Sequence, residues 1–139
     1  MKRRRGREYA LQFLFRFDFT GKRPEKKDLD EFWADLDKDD EVRQFSEDII
    51  YGTLDNLSEI DVVIQKAAEH WVLQRMAAVD RNILRYASYE LLFRKDIPST
   101  VTINEAIEIA KKYSAIESAS FINGILDTIA KGIKDKKVR

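Results

Sequence analysis

Four arginines and a lysine crowd the first seven residues, Lys2, Arg3, Arg4, Arg5 and Arg7, with no acid among them. Guanidinium groups bind phosphate in forked pairs, stack on exposed bases and stay charged at any physiological pH. Placed just before a helix, they also add to that helix's positive end. The plainer account of the same residues is a disordered solubilising tail. A second group opens what reads as the last helix: Ser118 and Ser120 offer hydroxyls beside free amides, and Phe121 could stack on a base. Phe121 is equally suited to open the apolar face of that helix. A third candidate is Glu90, a carboxylate set within an apolar run. It could serve as a general acid or base. The alternative is a structural acid bonded to the turn near Ser99–Thr102, because an unpaired buried charge is costly. No second catalytic-type residue lies near it in sequence, so the structural role is the one expected. His70 is the only histidine and there is no cysteine. No metal site or cofactor is therefore expected. Phosphate-binding loops, dinucleotide turns and nucleophile elbows are absent from the sequence, so an enzyme is not expected either.

These groups need a frame, and the frame reads as all-helical. Val79–Phe93 is its axis. Val79, Ile83, Leu84, Ala87 and Leu91 fall in one helical arc, widened by Tyr86 and Phe93, with Arg81, Arg85 and Ser88 opposite. Glu8–Phe19 reads as the first helix, with Tyr9, Ala10, Phe13, Leu14 and Phe17 inward. Phe15 borders its polar stripe, as a second core contact or as an exposed anchor for a partner. Asp28 with Glu31, Ser58 with Asp61, and Thr102 with Glu105 each read as capping pairs opening a helix. Gly124 lies inside the last helix, where close approach of a neighbour is the simplest explanation. That helix is expected to decay into Lys131–Arg139.

Composition bounds the rest. The chain has 139 residues, of which 44% are hydrophobic and 36% charged, and its formal net charge is zero. Setting aside the five bases of residues 1–7 leaves 20 bases against 25 acids, a net charge of −5. A basic start on an acidic body points to a localised polyanion site rather than a generally sticky protein. No apolar run approaches the roughly 20 residues that span a bilayer. A signal peptide is not expected, and the lack of cysteine is compatible with a cytoplasmic location.

Taken together, several pieces resemble the NusB family of bacterial transcription antitermination factors. They are Arg4-Arg5-Gly6-Arg7-Glu8-Tyr9-Ala10-Leu11-Gln12, Ile60-Asp61, Asp80-Arg81-Asn82-Ile83-Leu84-Arg85 and Tyr89-Glu90-Leu91. Val101-Thr102-Ile103-Asn104-Glu105-Ala106 and Phe121-Ile122-Asn123-Gly124-Ile125-Leu126-Asp127 complete the set. Their order and spacing are specific as a set, and no single piece would be. The resemblance implies two small packed helical subdomains, about 1–74 and about 75–139, with about six to seven helices in all. It implies binding to boxA single-stranded RNA of ribosomal RNA leaders, jointly with NusE, a small-subunit ribosomal protein, within an RNA polymerase antitermination complex. By position, the RNA surface would take in the arginine-rich start and the segment Glu117–Asn123, including Asn123 itself. The NusE surface would include Phe15 and Asp80. Some relatives form homodimers that cover the RNA surface. Two other readings stand beside this one. One is a stand-alone domain related to the RNA-binding part of ribosomal RNA cytosine methyltransferases. The other is a protein-only helical scaffold, against which the arginine cluster speaks.

Overall fold

The computed structural model describes residues 1–138, with side chains through Lys134. Seven α-helices and no strand occur among the described residues, in agreement with the all-α expectation. They are α1 (Lys2–Thr20), α2 (Lys26–Leu36), α3 (Asp40–Asp55), α4 (Leu57–Ala68), α5 (Ala78–Phe93), α6 (Ser99–Tyr113) and α7 (Ile116–Val138). A single 3-10 turn, Leu73–Arg75, joins α4 to α5. No described helix is long and apolar enough to cross a membrane.

α5 is the hub, packed against α1, α3, α4, α6 and α7. Its apolar arc is inward as read except at Phe93, which is exposed, and its polar face is enclosed too: Asn82, Arg85 and Ser88 are all buried. With helices on every side, the buried hydroxyls of Tyr86 and Ser88 have no partner among the described residues, whereas a charged residue on α5 must bring one. Arg85 does so by forking onto Asp61 of α4 (2.9 and 3.0 Å) and reaching Asp18 of α1 (3.2 Å). Asp61 is therefore an ion-pair partner rather than half of a capping pair. The pairing of α1 with α3 is close because Gly6 leaves no side chain: a Cβ there would lie 2.9 Å from the Phe45 ring. α2 is held differently, by aromatic edges. Tyr9 and Phe13 meet Phe32 and Trp33 with ring centroids 4.7–6.4 Å apart.

Several helix boundaries differ from the sequence reading. α1 begins at Lys2, so the basic residues form its first turns instead of preceding it. α2 is capped by Glu25, whose N–H donates to Asp28 (2.9 Å). α6 begins at Ser99 after Pro98, which places Thr102 inside the helix. Pro98 stands at the N-cap without a side-chain cap bond, and the Thr102 hydroxyl is bonded to Glu90 instead of capping the helix. α7 starts at Ile116, ahead of the Ser118–Phe121 group read as its opening, and continues to Val138. Arg139 lies outside the described residues. Gly124 is exposed and a Cβ there would meet nothing within 4 Å. The close-approach explanation is thus wrong for Gly124. It applies to Gly52, where a Cβ would fall 2.2 Å from the Tyr89 ring.

Candidate nucleic-acid interface

The start of α1 carries its charges into partnerships. Arg7 is buried, and its guanidinium forks onto Glu90 with Nε–Oε2 2.7 Å and Nη2–Oε1 2.8 Å. Thr102 adds a hydroxyl donated to Glu90 Oε1 at 2.8 Å. Glu90 is thereby held by side chains, not by the backbone amides of the following turn. Thr102 is its third partner, not a helix cap. Burial works against the charge on Arg7, and the bonds to Glu90 more than offset it, so its pKa is raised. Arg7 is enclosed and has no free donor face for RNA, which corrects its assignment as a phosphate contact. Arg4 forks onto Glu105, with Nε 3.0 Å from Oε1, and that bond holds the Glu105 carboxyl below its usual range. Glu105 is therefore an anchor for Arg4 instead of a capping residue.

Two of the remaining bases meet the acidic run at the start of α3. Arg5 pairs with Asp37 (3.1 Å), and Lys2 with Asp39 (3.2 Å) and Glu41 (3.3 Å). The charge asymmetry along the sequence is thus partly cancelled in space, because the fold returns Asp37–Glu41 to the start of α1. Lys2 and Arg5 are exposed, and pairs of that kind are weak enough to exchange for phosphate. Arg3 is exposed, lies 4.9 Å from the Phe45 ring centroid, and has no acid within salt-bridge distance among the described residues. Beside these bases opens a shallow cavity of about 550 Å³, walled across by Asp96, Pro98 and Val101.

The second patch lies at the start of α7. Phe121 is half-buried and meets Trp71 edge-on, with centroids 5.2 Å apart and planes at 75°. Trp71 is 58% exposed, because α4 ends at Ala68 and leaves the indole in the turn. With Arg75, Asp80 and Ser118 these rings border a cavity of about 670 Å³. Glu117, Ser120 and Asn123 are exposed. Ser118 is committed inward, donating to Asp80 (2.9 Å), which also accepts from Ser114 (2.6 Å).

The two patches do not merge. Glu90, which anchors the first, lies about 15 Å along α5 from Asp80, at 1.5 Å rise per residue. The exposed ridge of α6 runs between them. Arg4 meets Glu105 at one end of the ridge, and Lys112 (2.8 Å) and Tyr113 both donate to Glu8 at the other. Trp71, Arg75 and Lys112 went unmarked in the sequence reading. Only Trp71 carried a signal there, as a large aromatic at the edge of a polar turn.

Of the residues assigned to a protein partner, Phe15 is 42% exposed, and Phe19, one turn on, is 87% exposed. Both stand near the first turn of α5, since Asp18 of α1 accepts bonds from Arg81 and Asn82. Asp80 is only 8% exposed and has both oxygens occupied by serine hydroxyls.

Seven helices, one of them enclosed by its neighbours, with bases gathered at one end and open aromatics at two other places, define an all-helical binding domain without a catalytic constellation among the described residues. The chain belongs to the NusB family, which it matches over residues 4–131. Transcription antitermination protein NusB of Desulfitobacterium hafniense is 51% identical over 137 residues, spanning 98% of this chain and 93% of the relative. That of Thermodesulfovibrio yellowstonii is 46% identical over 140 residues, spanning 94% and 93%. Among solved structures, T. maritima NusB superposes with a TM-score of 0.83 at 46% identity, covering 93% of this chain and 90% of that one. A chain from the crystal structure of antitermination factors NusB and NusE in complex with double-stranded RNA gives 0.84 at 26% identity, covering 94% and 97%.

Proposed function

We propose that this chain is a transcription antitermination factor that binds boxA single-stranded RNA of ribosomal RNA leaders together with NusE and joins the RNA polymerase antitermination complex. The observation that carries the reading is family membership over nearly the whole chain, joined to a fold shared with a protein solved with NusE and RNA. The chain works in the cytoplasm by binding, without catalysis. On this reading Arg3, with Lys2, Arg4 and Arg5 exchanging their acids for phosphate, holds the RNA backbone. Trp71 and Phe121, with Glu117, Ser120 and Asn123 beside them, receive bases. The strand crosses the α6 ridge between the two patches, past Lys112. Phe15 and Phe19 form the apolar part of the NusE surface, with Asp80 at its edge.

A mobility shift with boxA RNA against a scrambled RNA of equal length, with and without NusE, tests this. Preferential binding of boxA that NusE strengthens is expected. Equal affinity for both RNAs in the presence of NusE would refute it.

A further inference from the structure

A second kind of surface lies away from both patches. Between α4, the end of α5 and the second half of α7 opens a groove of about 530 Å³. Its floor is aliphatic, made by Val63, Ala67, Leu92, Ile129 and Ile133, and Lys66 and Lys95 stand exposed at its rim. No acid lines it. Neither lysine has an acid within salt-bridge distance among the described residues, in contrast to Lys2, Lys112 and Lys131. On the α7 wall, a Cβ at Gly132 would meet nothing within 4 Å, so the backbone there is open to close approach.

The chemistry of the lining selects the occupant. Among the described residues no aromatic ring lines the groove, so a nucleobase finds no platform on which to stack. Aliphatic side chains at helical spacing fit such a floor, as in other helix-in-groove complexes. The two lysines complement carboxylates flanking those anchors and disfavour cations. We propose that this groove docks an amphipathic helix of a partner protein, with aliphatic anchors and acidic flanks. The proposal does not depend on the RNA-binding reading, because none of its residues belongs to either patch.

The test is a methyl NMR titration of the full chain with three probes. One is a synthetic leucine-anchored helical peptide flanked by glutamates, the second its counterpart flanked by lysines, and the third a single-stranded RNA. The acidic peptide is expected to shift the methyls of Val63, Leu92, Ile129 and Ile133. The Lys66→Glu, Lys95→Glu double variant should weaken it about tenfold and favour the lysine-flanked peptide. Both lysines are exposed, so the variant keeps its fold, which the unchanged remainder of the spectrum verifies. Four results overturn the proposal: equal shifts from both peptides, no shift at millimolar peptide, the same methyls responding to RNA, or concentration-dependent broadening of those methyls in the protein alone.

Discussion

Replacing Glu90 with alanine removes the acceptor of three buried bonds at once. Two of them are charge-assisted, at 2.7 and 2.8 Å from Arg7, and the third comes from Thr102 at 2.8 Å. The arginine cannot swing to water, because its side chain is 2% exposed and the opening is closed by Phe45, Glu105 and α6. Its nearest remaining acid is Glu105 at 3.6 Å, already engaged with Arg4. Breaking a buried pair from one side costs about 3–5 kcal/mol. Unfolding entropy is near 2.1 cal/mol/K per residue, or ~0.3 kcal/mol/K for this chain, so Tm should fall by ~10–17 °C. The companion measurement is the Arg7→Met, Glu90→Leu double variant. With no charge stranded, it should be more stable than Glu90→Ala by at least ~2 kcal/mol. Urea unfolding followed by circular dichroism at pH 7 reads both. A loss below ~1 kcal/mol for Glu90→Ala, or a double variant no better than the single one, would refute the argument that this pair is held by mutual burial.

Four other outcomes are expected. Gly52→Ala should cost ~1–3 kcal/mol by overpacking against the Tyr89 ring, and Tyr89→Leu in the same chain should recover part of it, read by urea midpoints. Stability should also fall in acid. Burial works to raise the Asp18 carboxyl, but the bond from Arg81 and the charge of Arg85 hold it below 3.8, and Arg4 holds Glu105 below 4.5. The folded state therefore binds fewer protons, so this stability is complete above about pH 5 and is lost as pH falls through the folded values; Asp18→Asn with Glu105→Gln should flatten the urea midpoint between pH 5 and 3. In a salt titration by fluorescence anisotropy, Arg3→Ala and Arg5→Ala should each remove about 0.7 from the slope of log affinity against log salt, while a folded Arg7→Met should leave it unchanged. Phe15→Ala with Phe19→Ala should weaken NusE binding by calorimetry and leave Tm within ~1–2 °C, because both rings are largely outside the core.

The fold was legible where periodicity carried it. The 3.6-residue rhythm of Val79–Phe93 located α5, and the aliphatic spacing after Ser120 located α7. Helix starts were less legible, because capping residues are common and their competition is settled by neighbours. Glu25 takes the cap of α2 and Asp28 becomes its reciprocal partner one turn in. Pro98 starts α6 a turn before the threonine that looked like its cap. Thr102 is a capping residue by composition, but Glu90 gives its hydroxyl a better use inside the core.

Arg7 was misread for a different reason, which concerns charge and distance. A run of bases in sequence is a site only if the fold keeps acids away from it, and sequence distance says nothing about that. Here the partners of Lys2, Arg4, Arg5 and Arg7 are 32 to 101 residues further along the chain. Glu90 looked anomalous alone, a carboxylate in an apolar arc, while Arg7 read as one more member of the basic cluster. They are two halves of one buried pair, and each explains the other. The same reasoning turns the exposed remainder into the functional candidate. Arg3 lacks an acid, Lys2 and Arg5 hold theirs at exposed distances of 3.1–3.3 Å, and Trp71 has a ring left open to solvent. Groups that the fold has already satisfied stabilise the molecule, and those it leaves unsatisfied at the surface are the ones free to meet RNA.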